Sequence, residues 1–457
     1  MMSRLAGLAQ KARSQKDAIG AVAAMSLKGL GALLTIAVFT LAARAMSAGE
    51  FGRLAIWFNA MSFLAVAAVF GQETLIARSW GEYNGKGRPA VARAAYRFGW
   101  IATIASALVF AGGVYFLAPF LDRGAPAALA LAAALFLFMQ TLLHYSSHAT
   151  RVMLNYLISE TGREILWRLV LLVVVLWATL GGGLTLRGFF LAAAAGMALS
   201  LAFQLRAVWR RLREQPAASA SSASERRHWF ERGFAMWLSA VVEAASQYSD
   251  VLLIGYFASP AAAGEYFVAA RIANIFLMVQ TGLNTYSVSH SASLYFSGKV
   301  EKLQQILRSL VIVAAALVTP CLLLIYVFGA QILTIFGDRY ASAYPTLVTL
   351  STAAYIMCLS GSSSVILLTT GHEKLYSRVI SLATIVRLTL TAALAAKFGA
   401  LGAACGWALV NAPLFMALAA VCRRVGGVDP SIASVLRPVA SAPAAADAGQ
   451  VLTRSGE

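Results

Sequence analysis

Charge is scarce in this chain and negative charge scarcest, with 19 Asp and Glu against 37 Lys and Arg in 457 residues, and charged residues only 12% of the total. A soluble domain carries about a quarter of its residues as charged side chains. This sequence therefore cannot clothe a water-facing surface of the size its length implies. Cysteine and histidine are few as well. Cys321, Cys358, Cys405 and Cys422 are scattered in or beside apolar runs without metal-ligand spacing, and they read as packing residues. His144 and His148 stand one helical turn apart, but no His-Glu-x-x-His motif completes them, so they read as structural. No glycine-rich phosphate loop precedes a Lys-Ser or Lys-Thr, which excludes nucleotide hydrolysis within the chain. We expect no cofactor and no metal.

What is abundant is apolar surface: 60% of residues are hydrophobic and the mean hydropathy is +0.72. A hydrocarbon core about 30 Å thick needs roughly 20 mostly apolar residues per helical crossing. The sequence supplies such runs at residues 19–43, 53–76, 100–120, 126–149, 164–180, 188–207, 233–257, 262–288, 307–330, 343–370, 377–396 and 401–421. The expected fold is all-α and polytopic, with about twelve transmembrane helices.

The formal net charge of +18 is informative through its placement. Most Lys and Arg lie before the first run, after the last, and in every second loop, including residues 78–97 and 206–232. By the positive-inside rule those loops and both termini face the cytoplasm. A nucleic-acid binder would gather its basic residues on one folded surface instead.

The expected organisation has five parts. Residues 1–18, where Leu5, Leu8 and Ala12 alternate with Arg4, Lys11, Arg13 and Lys16, form either an amphipathic helix on the inner membrane surface or a disordered basic tail. Residues 19–210 form a first six-helix bundle, and 211–232, with an Ala/Ser run after Pro216, a cytoplasmic linker. Residues 233–422 form a second six-helix bundle, and 423–457 a disordered cytoplasmic tail rich in Ala, Pro and Ser. The halves echo each other: Ala48-Gly49-Glu50-Phe51 recurs as Ala263-Gly264-Glu265-Tyr266, and Arg168-Leu169 as Arg387-Leu388. An even number of crossings per half gives both the same orientation, a parallel pseudo-twofold repeat that places substrate between the halves.

A charge at the bilayer centre costs about 2.5 to 3.5 kcal/mol on insertion scales, so ionisable residues inside apolar runs point to function. Lys28 and Glu243 occupy equivalent positions of the repeat with opposite charge. Two readings stay open: an ion pair that locks the halves, or a role in substrate or ion coupling. Asp250, Arg271, Arg387 and Glu73 complete the set. Lys28, Arg271 and Arg387 suit an anionic, diphosphate-bearing substrate, because fixed cations neutralise phosphate oxygens and Arg grips them bidentately. Glu243, Asp250 and Glu73 are the candidates for ion coupling or for a cavity ion pair. Trp57, Asn59, Gln247, Tyr248, Asn274 and Asn284 are chemically able to meet a sugar, though packing is the commoner use of such residues.

The stretch Asp250-Val-Leu-Leu-Ile-Gly255, Ser259-Pro260, Ala263-Gly264-Glu265-Tyr266 and Ala269-Ala270-Arg271-Ile272 resembles the start of the second half in bacterial polysaccharide flippases of the MOP superfamily. Ala43-Arg44 and Ser47-Ala48-Gly49-Glu50-Phe51-Gly52 resemble the matching stretch after their first helix. The resemblance implies two six-helix bundles in alternating access. A cationic central cavity would carry a polyprenyl-diphosphate-linked oligosaccharide, such as an O-antigen or exopolysaccharide unit, across the bacterial inner membrane. It also implies an ion gradient as driving force. The expected partners are the lipid-linked saccharide, the phospholipid membrane and other membrane proteins of polysaccharide assembly, and the expected protein is a carrier without enzymatic activity. Two alternatives stay open: a multidrug or cation exporter of the same superfamily, and a membrane-embedded enzyme of polysaccharide assembly. The first would favour acidic residues over Lys28, and the second has only short outer loops in which to build a catalytic domain.

Overall fold

The computed structural model describes residues 26–122, 126–181, 183–213, 216–217 and 222–436. The expectations for residues 1–18 and 437–457 lie outside the described residues. Among the described residues every regular element is helical, and ten helical stretches are long and apolar enough to cross a bilayer. The last of them, Glu373–Gly426, is two crossings, because Gly399 leaves helical geometry at φ 58, ψ −136. A side chain at Gly402 would collide with the Leu394 carbonyl, and one at Gly406 would come within 2.8 Å of the Thr391 backbone. Glycine thus lets the second arm fold back against the first. A further helix, Ala223–Phe257, is 35 residues long and is made less apolar by Glu243, Gln247 and Asp250. With it the crossings number twelve.

The chain forms two compact units, Met1–Gly255 and Tyr256–Glu457. The first contains α1 (Ser26–Ala45), α2 (Ala48–Val69), α3 (Gln72–Gly85), α4 (Pro89–Leu121), α5 (Ala127–Met153) and α6 (Tyr156–Glu160). After a π-helical turn at Thr161–Leu166 come α7 (Trp167–Gly181), α8 (Leu186–Arg213) and α9 (Ala223–Phe257). At its centre α5 packs against α8, and both bury small residues, Ala130, Ala132, Ala133 and Ala134 on α5 and Ala192, Ala193 and Ala194 on α8, while Gly196 lies against Trp167 of α7. Small residues let helices approach closely where lipid supplies no hydrophobic drive. Rings of α1, α2, α5 and α8 interlock around that seam: Phe39 meets Phe58 edge-on at 5.1 Å, and Phe136 meets Phe190 at 5.3 Å.

The second crossing is interrupted where the sequence predicts continuity. Phe70 and Gly71 adopt left-handed geometry between α2 and α3, which exposes the Ala67 carbonyl at a helix end. Trp237 of α9 donates Nε1–H to that carbonyl at 2.8 Å, and a side chain at Gly71 would collide with the Gly233 carbonyl. Further along, Trp229 is fully buried and donates to the Tyr83 hydroxyl at 2.9 Å. The segment 211–232 is helical up to Arg213 and again from Ala223, and α9 packs with the first unit, so the division falls at Gly255.

The second unit contains α10 (Pro260–Phe296), α11 (Val300–Thr334), α12 (Tyr344–Leu359), α13 (Ser363–Thr369) and α14 (Glu373–Gly426), with Asp338–Ala343 as a 3₁₀ turn before α12. Its tenth crossing also breaks, at residues 360–362. There α10 supplies the missing partners: Gln280 donates to the Gly361 carbonyl at 2.9 Å, and Ser287 to Ser362 Oγ at 2.8 Å. Backbone groups freed inside a membrane need such substitutes. The tail expected to be disordered from residue 423 is folded as far as Leu436. Gln304 exchanges two 2.7 Å hydrogen bonds with the Asp429 backbone, Arg308 donates to the Ser434 carbonyl, and the Pro430 carbonyl closes on Gly361, where a side chain would not fit.

The repeated sequence blocks fall at equivalent places. Ser47 caps α2 by accepting from the Glu50 N–H, while Glu50 accepts from the Ser47 N–H at 3.1 Å, a reciprocal capping box. In the second block α10 starts about a turn earlier, where Ser259 accepts from the Ala262 N–H at 3.1 Å and Pro260 sits at the first helical position.

Candidate functional site

The chain at the end of α5 carries Arg151, Glu160, Arg163, Glu164 and Arg168 within 18 residues. In the sequence Arg151, Glu160 and Arg163 sit between two apolar runs, as inner-side topogenic charge, and Glu164 and Arg168 open the second run. The structure folds them into a compact charged cluster inside the first unit. Asn155 caps α6 by accepting from the Ile158 N–H at 2.9 Å, turning the chain straight back after α5. Arg151 then ion-pairs with Glu160, whose side chain is 1% exposed, and stacks over the Tyr156 ring at 4.9 Å.

The helix continues as a π-helical turn, a form found mostly as single turns and often at functional sites. Such a turn loosens carbonyls, and side chains here recover them. Trp167 Nε1 donates to the Arg163 carbonyl at 2.7 Å, and Arg168 Nη1 to the Glu164 carbonyl at 2.6 Å and the Glu164 carboxylate at 2.7 Å. Arg163 lies 3.7 Å from the other Glu164 oxygen. Gln204 of α8 holds the turn from behind, donating to Ser147 Oγ at 3.0 Å and to the Ser159 carbonyl at 2.9 Å, with Gly162 against its amide.

Three further elements reach this cluster. A side chain at Gly31 of α1 would come within 3.0 Å of Glu164 Cβ and Oε2, so the α1 backbone lies directly against that carboxylate. Tyr248 of α9 is within electrostatic reach of Arg168, and Glu73 of α3 within reach of Arg163. Glu73 is 6% exposed, and its Oε2 has no hydrogen-bond partner among the described residues. His144 and His148 stack in parallel at 5.2 Å, and His148 Nδ1 lies 3.0 Å from the His144 carbonyl, so the two rings do not converge on a point between them.

Of the residues expected from sequence, Lys28, Glu73, Glu243 and Asp250 belong to the first unit. Lys28 is exposed on α1, three residues before Gly31. Glu243 is exposed and Asp250 is buried, seven residues apart on α9. In the second unit Arg271 is half-buried, its guanidinium 4.4 Å over the Phe267 ring. Arg387 is only 3% exposed, on the helical face that continues through the buried Thr391 and Ala395. Further along that stripe the Thr391 backbone lies against Gly406, on the arm beyond Gly399. Trp57 and Asn59 are also committed: Trp57 donates to Asp122 at 3.0 Å beside the Arg53–Asp122 pair, and Asn59 to the Ala55 carbonyl at 2.7 Å.

Sequence reading missed Arg151, Glu160, Arg163, Glu164 and Arg168. The available signal was the run Glu160, Glu164, Arg168 at four-residue steps, which continues one helical face into the next apolar run.

The fold has close counterparts. A multidrug resistance MATE family transporter of the MOP superfamily, in its inward-facing conformation, superposes with a TM-score of 0.69 at 16% identity, covering 89% of this chain and 98% of that one. The lipid II flippase MurJ in an inward closed conformation gives 0.65 at 12% identity, with 86% of each chain covered. A MOP superfamily transporter from Pyrococcus furiosus gives 0.63 at 15% identity, covering 92% and 96%. At these identities the likeness establishes the fold. In sequence, the chain is 29% identical over 125 residues to the "Probable flippase AglR" of Haloferax volcanii, a match spanning 27% of this chain and about a quarter (26%) of that protein's length.

Twelve crossings and these superpositions define the class: a polytopic membrane protein with the fold of MOP superfamily transporters. Within it, the family described as "Polysaccharide biosynthesis protein" matches residues 19–289, more than half of the chain, and the chain belongs to that family.

Proposed function

We propose that this protein is a flippase that moves a polyprenyl-diphosphate-linked oligosaccharide from the cytoplasmic to the periplasmic leaflet of the bacterial inner membrane. Both termini lie in the cytoplasm, and transport runs by alternating access along a cationic passage. The observation that carries the reading is an exposed Lys28 on a membrane-crossing helix in a member of a polysaccharide biosynthesis family. An ammonium on a membrane-crossing helix is costly in lipid and useful to a diphosphate, which brings two or more negative charges. Arg271 is the second phosphate ligand, held by its ring stack. Arg387, buried in the second unit, adds positive potential along the passage.

Glu73, Glu243 and Asp250 are the groups through which an ion gradient drives the cycle. Among them Glu73 suits proton carriage best, having a buried carboxylate oxygen without a partner among the described residues. Other membrane proteins of polysaccharide assembly deliver and receive the cargo.

The test is reconstitution in proteoliposomes with a fluorescent short-chain polyprenyl-diphosphate oligosaccharide, scoring the fraction that a membrane-impermeant quencher reaches. We expect wild type to equilibrate the two leaflets and Lys28→Ala to slow it at least tenfold. Equal rates with and without protein would reject the reading. The likeness to a MATE transporter favours a second reading, cation export, which predicts export of organic cations that Glu73→Gln or Asp250→Asn abolishes.

A further inference from the structure

On the surface of the first unit, α4 and α8 leave a groove of about 540 Å³ lined by Tyr96, Ala202, Leu205, Arg206, Trp209 and Leu212. The α8 wall is graded. Leu199 and Phe203 are exposed and apolar, Arg206 follows one turn on, and Trp209, Arg210 and Arg213 occupy the last turns of the same helical stripe. The Arg213 guanidinium lies 3.4 Å over the Trp209 ring, which fixes both at the helix end. Across the groove, Arg93 of α4 donates to the Leu212 and Pro216 carbonyls, both at 3.1 Å, tying the end of α8 to α4 and closing that end. Among the described residues no acidic side chain pairs with Arg206, Arg210 or Arg213.

We propose that this groove binds one anionic phospholipid of the membrane. An acyl chain lies along Leu199, Ala202, Phe203 and Leu205, and the headgroup phosphate lies between Arg206 and Arg213. The gradient from aliphatic through arginine to tryptophan follows the order in which a phospholipid presents tail, phosphate and headgroup. Basic pockets between crossing helices at the inner surface select anionic headgroups, and tryptophan settles at the headgroup level. Charge complementarity selects the occupant: a zwitterionic lipid fills the apolar part equally well but gives up the net attraction to three arginines that no carboxylate among the described residues answers. A polyprenyl phosphate of the transport cycle would share the phosphate chemistry, and competition by polyprenyl monophosphate separates the two. The site stands whatever the cargo is.

The experiment uses purified full-length protein in phosphatidylcholine vesicles doped with phosphatidylglycerol or phosphatidylcholine brominated on the acyl chain. The readout is tryptophan quenching attributable to Trp209, taken as wild type minus Trp209→Phe. We expect half-quenching at markedly lower mole fraction of the brominated phosphatidylglycerol, about fivefold lower for each arginine that touches the phosphate. Arg206→Gln combined with Arg213→Gln should remove that preference while leaving quenching by brominated phosphatidylcholine unchanged. Equal quenching of wild type by the two lipids would overturn the proposal without reference to any variant. Relief of the phosphatidylglycerol quenching by millimolar inorganic phosphate would overturn the lipid as occupant, as would relief by equimolar polyprenyl monophosphate.

Discussion

Arg168 grips Glu164 one helical turn back across the π-helical turn, with Nη1 at 2.7 Å from the carboxylate and 2.6 Å from the carbonyl of the same residue. One side chain thus neutralises a charge inside the first unit and also satisfies a backbone group that the irregular turn loosens. Replacing either partner leaves the other charged and mostly buried, a change that costs roughly 3 kcal/mol in comparable pairs. Glu164→Gln and Arg168→Gln should therefore each lower the thermal stability of the purified protein. The double variant should recover part of that loss. Strictly additive losses would show that the pair is not a unit.

The break in the second crossing makes a sharper steric prediction. Gly71 has φ +71, and a side chain there would strike the Gly233 carbonyl, a backbone atom that cannot turn aside. A side chain at Gly233 would instead meet Gln72 Nε2 at 2.8 Å, the far end of a flexible chain. Gly71→Ala should destabilise the protein severely and Gly233→Ala mildly, read as the yield of monodisperse protein and its melting temperature. The reverse order would place the contact between α3 and α9 elsewhere.

Lys28 and Arg271 are exposed and half-buried, so their removal should spare the fold and strike transport. Lys28→Ala and Arg271→Ala are expected to keep wild-type expression while lowering lipid-linked saccharide transport at least tenfold, and Lys28→Arg to retain most of it. Arg387→Ala should behave differently. Its burial predicts a loss of folded protein before any selective loss of rate.

Glu73 tests the driving ion. Glutamine preserves its shape and removes the titratable oxygen that lacks a partner among the described residues. Glu73→Gln should fold normally, transport in the absence of a gradient, and lose the acceleration that an imposed pH gradient gives wild type. Unchanged acceleration would move proton coupling to Glu243 or Asp250.

Much of the fold is legible in the sequence because hydrophobic length is a local property. Twelve runs predict twelve crossings, and the Ser47 and Ser259 starts follow from residues within one turn. What the sequence does not display depends on contacts far along the chain. The interruption at Phe70–Gly71 is stable because Trp237 reaches Ala67, and the one at residues 360–362 because Gln280 reaches Gly361. The folded stretch up to Leu436 is ordered by its pairing with Gln304 and Arg308 and by Val428, buried in a cluster with Leu303 and Leu307. The charge cluster shows the same limit most clearly. Glu73 attracts notice alone inside an apolar run, whereas Arg151, Glu160 and Arg163 sit between runs and look like solvated loop charge. The π-helical turn that carries them inward has no propensity signature of its own.

The most direct measurement depletes this protein in its own cells and asks from which side the polyprenyl-diphosphate-linked saccharide is accessible to a membrane-impermeant label. The account predicts accumulation in the cytoplasmic leaflet, reversed by wild-type protein and poorly by Lys28→Ala. Accumulation in the outer leaflet, or covalent alteration of the saccharide by the purified protein, would contradict it.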